Sequence, residues 1–218
     1  MNSLVQKVSA PCRTLVFGTG NRKKAAELAD LLEACGLELK TLADFSAPLA
    51  VDEDGGSFAE NAALKATLQA AQLGCWVLGD DSGLAVDALG GAPGIFSARF
   101  AGPEATDAEN RQKLLQQLAA VEPARRTAQF VCHLALADPS GTLRAESTGR
   151  CRGQIRLEAS GAGGFGYDPL FEIVEYHRTF GELSPTVKTC LSHRARAMRA
   201  LLPQIEALID AGEWGMHG

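Results

Sequence analysis

The sequence predicts an α/β fold with a mixed β-sheet, carried by one domain of two lobes. Up to about residue 126, short apolar runs alternate with stretches of helical periodicity, the pattern of strands joined by helices. From Thr127 onward, apolar residues recur at every second position with no helix between them, the pattern of antiparallel strands. No internal repeat or linker-like stretch interrupts the chain. Residues 14–212 are therefore assigned to a single bilobed domain, with 1–13 a loosely held leader and 213–218 a tail.

The elements follow in order. Thr14-Leu15-Val16-Phe17 is a short apolar strand stopped by the turn Gly18-Thr19-Gly20-Asn21. Leu28, Leu31, Leu32 and Cys35 then recur at helical spacing, and Gly36 stands where a left-handed glycine ends a helix. Ser57-Phe58-Ala59-Glu60 has the form of a capping box, opening a helix whose inward stripe is expected at Leu64, Leu68 and Ala71, closed by Gly74. Cys75-Trp76-Val77-Leu78 is a buried strand, expected to end in a turn at Gly79–Gly83. Thr106–Glu109 is a second capping box, for a helix through Leu114, Leu115 and Leu118 that Pro123 terminates. Ala128, Phe130, Cys132, Leu134 and Leu136 alternate along a long strand that ends at Asp138-Pro139-Ser140-Gly141. Residues 142–158 are expected to form two further strands, and 170–174 another after a glycine-dense loop. The last helix is expected from about Ser192, with Met198, Leu201, Leu202, Ile205, Leu208 and Ile209 inward and a kink at Pro203.

Composition excludes several classes. Of 218 residues, 46% are hydrophobic and 22% charged, too apolar for a disordered chain and enough for a substantial core. Lys+Arg number 21 against 26 Asp+Glu, a net charge of −5 that argues against a polymeric nucleic acid as partner. No apolar run approaches the roughly 18 residues of a membrane span, and residues 1–13 lack the apolar core of a signal peptide. The six cysteines are scattered without metal-ligand spacing and are expected to be reduced, which places the chain in the cytoplasm.

Four clusters carry candidate chemistry. Gly18-Thr19-Gly20-Asn21-Arg22-Lys23-Lys24 joins a strand to a helix and matches neither the P-loop nor the dinucleotide glycine spacing. It is either an anion cradle of backbone N–H groups and lysines or a plain turn with surface lysines. Asp80-Asp81-Ser82-Gly83 offers paired carboxylates, either for Mg²⁺ with substrate phosphates or as an ordinary capping turn. The flanking glycines suggest a turn aiming both carboxylates at one site, with Asp52-Glu53-Asp54 able to add a third. Gly163-Gly164-Phe165-Gly166-Tyr167-Asp168-Pro169 is either a platform for a planar ligand or a hairpin loop with buried aromatics. Lys188 and Ser192-His193-Arg194 set cations at a helix start, where they oppose the dipole, so that structural capping explains only Ser192. His133, His177 and His217 are assigned to structure or surface.

An anion cradle, an acidic site, a stacking loop and a cationic helix start together fit a nucleotide polyphosphate with Mg²⁺. In order, Thr19-Gly20-Asn21-x-x-Lys24, Ser57-Phe58-x-Glu60-Asn61-Ala62-x-Leu64-Lys65-Ala66, Asp80-Asp81-Ser82-Gly83-Leu84 and Leu89–Gly94 running into Ser97-Ala98-Arg99-Phe100 are followed by Gly163–Pro169, Phe180–Ser184 through Lys188, and Ser192-His193-Arg194. This ordered set resembles the inosine/xanthosine triphosphate pyrophosphatase family, over about residues 14 to 205.

The resemblance implies hydrolysis of noncanonical purine nucleoside triphosphates (ITP, dITP, XTP, dXTP) to a monophosphate and pyrophosphate, cleansing the nucleotide pool. It implies an elongated mixed sheet between two α/β lobes with the nucleotide in the cleft, and a homodimer. By the same resemblance Asp81 would accept the proton from water, and Asp81, Asp80 and Glu53 (or Asp52) would organise Mg²⁺. Thr19, Gly20, Asn21, Arg22, Lys23, Lys24 and Lys65 would hold the triphosphate beside Ser82. Phe165, with Gly166 and Tyr167 around it, would stack on the base, whose edge Asp168, Lys188, His193 and Arg194 would bond. Thr186-Val187 and Thr189-Cys190 flank Lys188 where the family commonly has Glu-Glu and Asn-Ala. Two other readings are a pyrophosphatase for modified pyrimidine triphosphates, which the Lys188/His193/Arg194 set disfavours, and a silent nucleotide sensor, which the intact Asp80-Asp81 pair disfavours.

Overall fold

A computed structural model of the chain describes residues 13–33, 36–46 and 48–214. The expected leader, apart from Arg13, and the cysteines Cys12 and Cys35 lie outside these residues, as does His217. Seven strands form one mixed sheet in the order β2-β1-β3-β4-β5-β6-β7. They are β1 (Arg13–Phe17), β2 (Leu37–Thr41), β3 (Val77–Val86), β4 (Thr127–Ala137), β5 (Leu143–Ile155), β6 (Phe171–Ile173) and β7 (Arg178–Thr179). β1 lies parallel to β2 and β3, and every later pairing is antiparallel. The change of pattern at Thr127 therefore marks the change from helix-connected to directly connected strands.

Helices α1 (Arg22–Glu33) and α5 (His193–Asp210) cover one face of the sheet, where Leu28, Leu32, Met198, Leu201 and Ile205 bury against Leu15, Phe17, Leu78 and Leu134. The same face continues toward β6 as a second cluster under α3 (Asp107–Gln117), built on Leu84, Phe130, Leu114, Leu118 and Phe171. The opposite face carries α2 (Phe58–Leu73).

Several local expectations change. The inward stripe of α2 is Ala62, Ala66 and Ala70, whereas Leu68 is 43% exposed. A leucine cannot fit there, because α2 lies so close to β3 that a Cβ at Gly79 would collide with the Ala62 carbonyl. Ser57 caps α2 by accepting a hydrogen bond from the Glu60 amide, but Glu60 accepts from the Gly56 amide rather than closing a reciprocal box. The Thr106–Glu109 box is complete. Its helix ends at Gln117, with Leu118 as cap and Pro123 beyond it in a separate short turn. Residues 142–158 hold one long strand, β5, rather than two, because it pairs with β4 from Leu143 to Gln154 across a single register shift at Leu136/Ala137. A short helix α4 (Pro185–Leu191), capped by Ser184, precedes α5 and carries Lys188. α5 runs as one helix through Pro203. Past residue 212, Trp214 is not a tail residue: it stacks on Trp76 with ring centroids 4.4 Å apart and joins the core.

Candidate active site

The expected turn at Gly79–Gly83 is replaced by strand: β3 continues through Asp80-Asp81-Ser82-Gly83 to Val86, paired residue by residue with β4. Alternation along a strand sends neighbouring side chains to opposite faces, so Asp80 and Asp81 do not point at one site. β1 pairs with β3 only at Val16–Val77 and Phe17–Leu78. Beyond Leu78 that edge of β3 opens into a cavity of about 410 Å³. The end of a short central strand beside a long one thus creates the cleft.

The loop between β1 and α1 forms one wall. Gly18 donates to the Leu78 carbonyl, and the Asn21 side chain accepts from the amides of Lys23 and Lys24, capping α1. Thr19, Gly20, Asn21 and Lys24 line the cavity, while Arg22 and Lys23 do not. Lys23 instead reaches over the Phe165 ring at 5.9 Å.

α2 supplies the next wall. Lys65 Nζ lies 3.2 Å from both Asp81 Oδ1 and Glu53 Oε1, bringing these two carboxylates to one point. Asn61, 0% exposed, donates from Nδ2 to Asp81 at 3.2 Å and accepts from the Gly55 amide at 2.8 Å. It therefore ties the Glu53 loop to Asp81. Gln69 bonds both the amide and the carbonyl of Leu49, and Arg99 donates to the Glu53 carbonyl at 3.4 Å. Burial raises the Asp81 carboxyl above the usual range; Lys65 opposes this and the Glu53 charge adds to it.

The glycine-rich loop before β6, with α4 and the first turn of α5, forms another wall of the cavity. Phe165, Gly166, Tyr167, Asp168, Lys188 and His193 all line it. Tyr167 is held by a hydrogen bond from its hydroxyl to the Ser97 carbonyl, and Arg111 donates to the Gly166 carbonyl. Asp168 accepts from the Phe165 amide at 2.7 Å and from Lys188 at 2.6 Å. Burial raises its carboxyl, and Lys188 opposes the shift. Lys188 Nζ stands 4.4 Å from the Phe165 ring centroid and 2.6 Å from Glu27. His193 stacks on Phe130, and burial together with Arg194 holds its imidazole neutral, well below the usual histidine range.

Asp80 faces the α1/α5 side. Burial alone would raise its carboxyl, but Arg194 and Lys24 outweigh it and hold it well below the usual range. Arg194, expected at the base edge, is 1% exposed and does not line the cavity; it stands behind Ser82, bonded to Asp80, Ser82 and Glu27. The structure thus brings Asp81 to Glu53 and sets Asp80 apart from them on the other face of the strand. Among the described residues, no group of three His, Cys, Asp or Glu side chains gathers as a metal site.

The sequence profile of the Ham1 family matches residues 15–204. The chain belongs to the Ham1 family. The dITP/XTP pyrophosphatase of Rhodopirellula baltica is 53% identical over 197 residues, 90% of this chain and 95% of that one. That of Desulforamulus reducens is 45% identical over 194 residues, 89% and 96% of the two chains. The solved structure of a HAM1 protein from Coxiella burnetii superposes with a TM-score of 0.81 at 38% identity, covering 89% of this chain and 99% of that one.

Within this Ham1 chain, Glu27, Asn61, Gln69 and Arg99 hold the site together, and sequence reasoning assigned none of them a role. Asn61 and Arg99 stand inside recognised motifs, so their presence was visible. Glu27 follows Lys24 by three residues, on the same helix face, yet its contacts with Lys188 and Arg194 depend on chain more than 160 residues away. His133, assigned to structure or surface, finds Thr148 at 2.9 Å and Glu146 at 3.0 Å on the neighbouring strand. The described cysteines Cys75, Cys132, Cys151 and Cys190 are free thiols. No described helix is long and apolar enough to cross a membrane.

Proposed function

We propose that the chain hydrolyses noncanonical purine nucleoside triphosphates, dITP, ITP and XTP among them, to the nucleoside monophosphate and pyrophosphate. In the cytoplasm this removes them before they enter DNA or RNA. One observation carries the reading: a single cavity is lined both by Lys24, Lys65 and Asp81 and by Phe165, Lys188 and His193. The cations and carboxylate of the first set suit a polyphosphate, and the aromatic ring and donors of the second suit a purine. The dITP/XTP pyrophosphatase relatives support the same substrate class.

Asp81 acts as the general base. Burial raises its carboxyl, which makes it a better proton acceptor than an ordinary aspartate. It takes a proton from the attacking water as the new O–P bond forms. The bond between the α- and β-phosphates breaks, and pyrophosphate departs with the electron pair. Asn61 and Lys65 keep the carboxylate oriented, and Lys24 and the Thr19–Asn21 loop hold the phosphates against mutual repulsion.

Mg²⁺ belongs to this reading. Glu53 and Asp81 present oxygens about one point, and Mg²⁺ takes one or two carboxylates plus substrate phosphates and water. These residues fit the ion; Asp80, on the opposite face, does not join them. When bound, Mg²⁺ offsets phosphate charge and orients the reacting oxygens.

Base choice follows from which groups the pocket leaves paired. Lys188 donates only, and neutral His193 has one donor and one acceptor nitrogen, with Nδ1 unpartnered among the described residues. A 6-carbonyl, as in hypoxanthine or xanthine, satisfies such donors. The 6-amino group of adenine offers no acceptor to the one Lys188 N–H that Asp168 and Glu27 leave free, at about 1–3 kcal/mol for an unpaired buried donor. A homodimer is part of the same proposal, and the mass of the native particle checks it.

Pyrophosphate release from dITP, XTP, dGTP and dATP, each with and without Mg²⁺, tests the proposal. Fast metal-dependent release from dITP and XTP, with little from dATP, is the expected result. Orthophosphate in place of pyrophosphate would overturn the cleavage site, and equal turnover of dATP would overturn the base reading.

A further inference from the structure

A carboxylate offers about four lone-pair sites, and at Asp80 four donors occupy them. Oδ1 accepts from Lys24 at 2.5 Å and Ser82 at 3.0 Å; Oδ2 accepts from Arg194 at 2.8 Å and Cys132 at 3.2 Å. The side chain is fully buried. Nothing remains with which to ligate a metal. Asp81 and Glu53, by contrast, share one lysine and one asparagine between them.

The partners of Asp80 continue into a chain of alternating charge. Lys24 pairs with Asp80, Asp80 with Arg194, Arg194 with Glu27, Glu27 with Lys188, and Lys188 with Asp168. Three cations balance three carboxylates. Lys24 lines the cavity among the candidate phosphate groups, and Lys188 and Asp168 line it among the candidate base-reading groups.

We infer that Asp80 is a positioning residue that joins the phosphate end of the cavity to its base end, and that it does not ligate the metal. The inference rests on the pyrophosphatase reading above. Its physical content lies in shared partners. Arg194 is neutralised by Asp80 and Glu27 together, and Glu27 is shared with Lys188. Removing the Asp80 charge leaves Arg194 dependent on Glu27, which is drawn toward it and away from Lys188. The lysine that faces the base then keeps only Asp168. An unpaired buried charge is too costly for the array to stay unchanged.

The test uses dITP and dATP analogues whose α–β bridge is an imido group, so that binding is measured without turnover. Calorimetry gives the affinity of each for the wild type, Asp80→Asn and Glu53→Gln. Electron paramagnetic resonance gives Mn²⁺ affinity with the dITP analogue saturating. For Asp80→Asn the expected result is Mn²⁺ affinity within about two-fold of wild type, weaker binding of both analogues, and a dITP-over-dATP preference reduced by about ten-fold. Glu53→Gln is expected to do the opposite, losing Mn²⁺ affinity and keeping its preference. A merely structural role for Asp80 would lower the fraction of active protein without changing a ratio of affinities.

If Asp80→Asn does not fold, Asp80→Asn with Lys24→Met removes one charge of each sign and keeps the array balanced. It is expected to retain Mn²⁺ affinity within the same two-fold. Loss of Mn²⁺ affinity matching that of Glu53→Gln, in either variant, overturns the inference, as does an unchanged base preference in a folded Asp80→Asn. A wild-type chain that binds neither analogue overturns the proposed function itself.

Discussion

Adding a single methyl group at Gly79 tests how the packing of α2 serves the site. In Gly79→Ala the new Cβ would strike the Ala62 carbonyl and stand 2.9 Å from the Ala66 amide nitrogen, both backbone atoms of α2. Carbon contacts settle near 3.5–4.0 Å, and a helix backbone has no rotamer by which to withdraw. α2 must therefore shift outward by about 1 Å as a body. Overpacking costs about 1–3 kcal/mol, and a rigid wall puts this case at the upper end. At roughly 2–4 °C per kcal/mol for a chain of this size, the melting midpoint falls by about 6–12 °C. The same shift carries Asn61 away from Asp81, whose hydrogen bond at 3.2 Å has little slack. Misplacement on that scale can cost about 10²-fold in rate. Calorimetric melting and pyrophosphate release from dITP below the midpoint measure both effects. A variant with an unchanged midpoint and wild-type kcat/KM would refute the close helix–strand contact and its catalytic consequence together.

The remaining predictions concern charge and packing. Asp81→Asn removes the proposed proton acceptor and is expected to lower kcat on dITP by about 10²–10⁴-fold while dITP still binds; retained turnover would assign the base elsewhere. In the metal-free chain, an NMR titration is expected to find the Asp81 carboxyl above the usual aspartate range. Lys65→Met removes the cation that opposes the shift and moves it higher, whereas Glu53→Gln removes a repelling charge and moves it lower. The reverse order would overturn the account of Asp81. Trp214→Ala deletes the ring stacked on Trp76 and is expected to cost about 3–5 kcal/mol, a fall of roughly 6–20 °C in midpoint, with kcat/KM on dITP unchanged at 25 °C. A midpoint within a degree of wild type would mean that Trp214 does not pack in the core.

Much of the site could be read residue by residue before any fold was known. Thr19, Gly20, Asn21, Lys24, Asp81, Phe165, Lys188 and His193 each stand in a motif whose chemistry suggests a ligand, and one cavity gathers them. Less legible was which way a side chain faces. The glycines around Asp80-Asp81 suggested a turn, but Gly79 and Gly83 are small because α2 and the Gly94–Arg99 turn press against the strand at those positions. For the same reason Leu68 of α2 faces outward and Ala62, Ala66 and Ala70 face inward.

Local pattern, then, determined what depends on neighbours along the chain: most strands and helices, the caps at Ser57, Thr106 and Ser192, the glycine stop at Gly74, and the change from parallel to antiparallel pairing near Thr127. These rest on backbone hydrogen bonding and on hydrophobic period, which span a few residues. Only the tertiary structure decided the division of labour between Asp80 and Asp81. Adjacent carboxylates look equivalent in a sequence, but a pleated strand turns one toward Lys65 and Asn61 on α2 and the other toward Arg194 and Lys24. The part played by Glu27 and the burial of Arg194, named from its motif as a base-edge residue, were likewise not legible, because both arise where α1 and α5 meet over the sheet, a contact between distant parts of the chain.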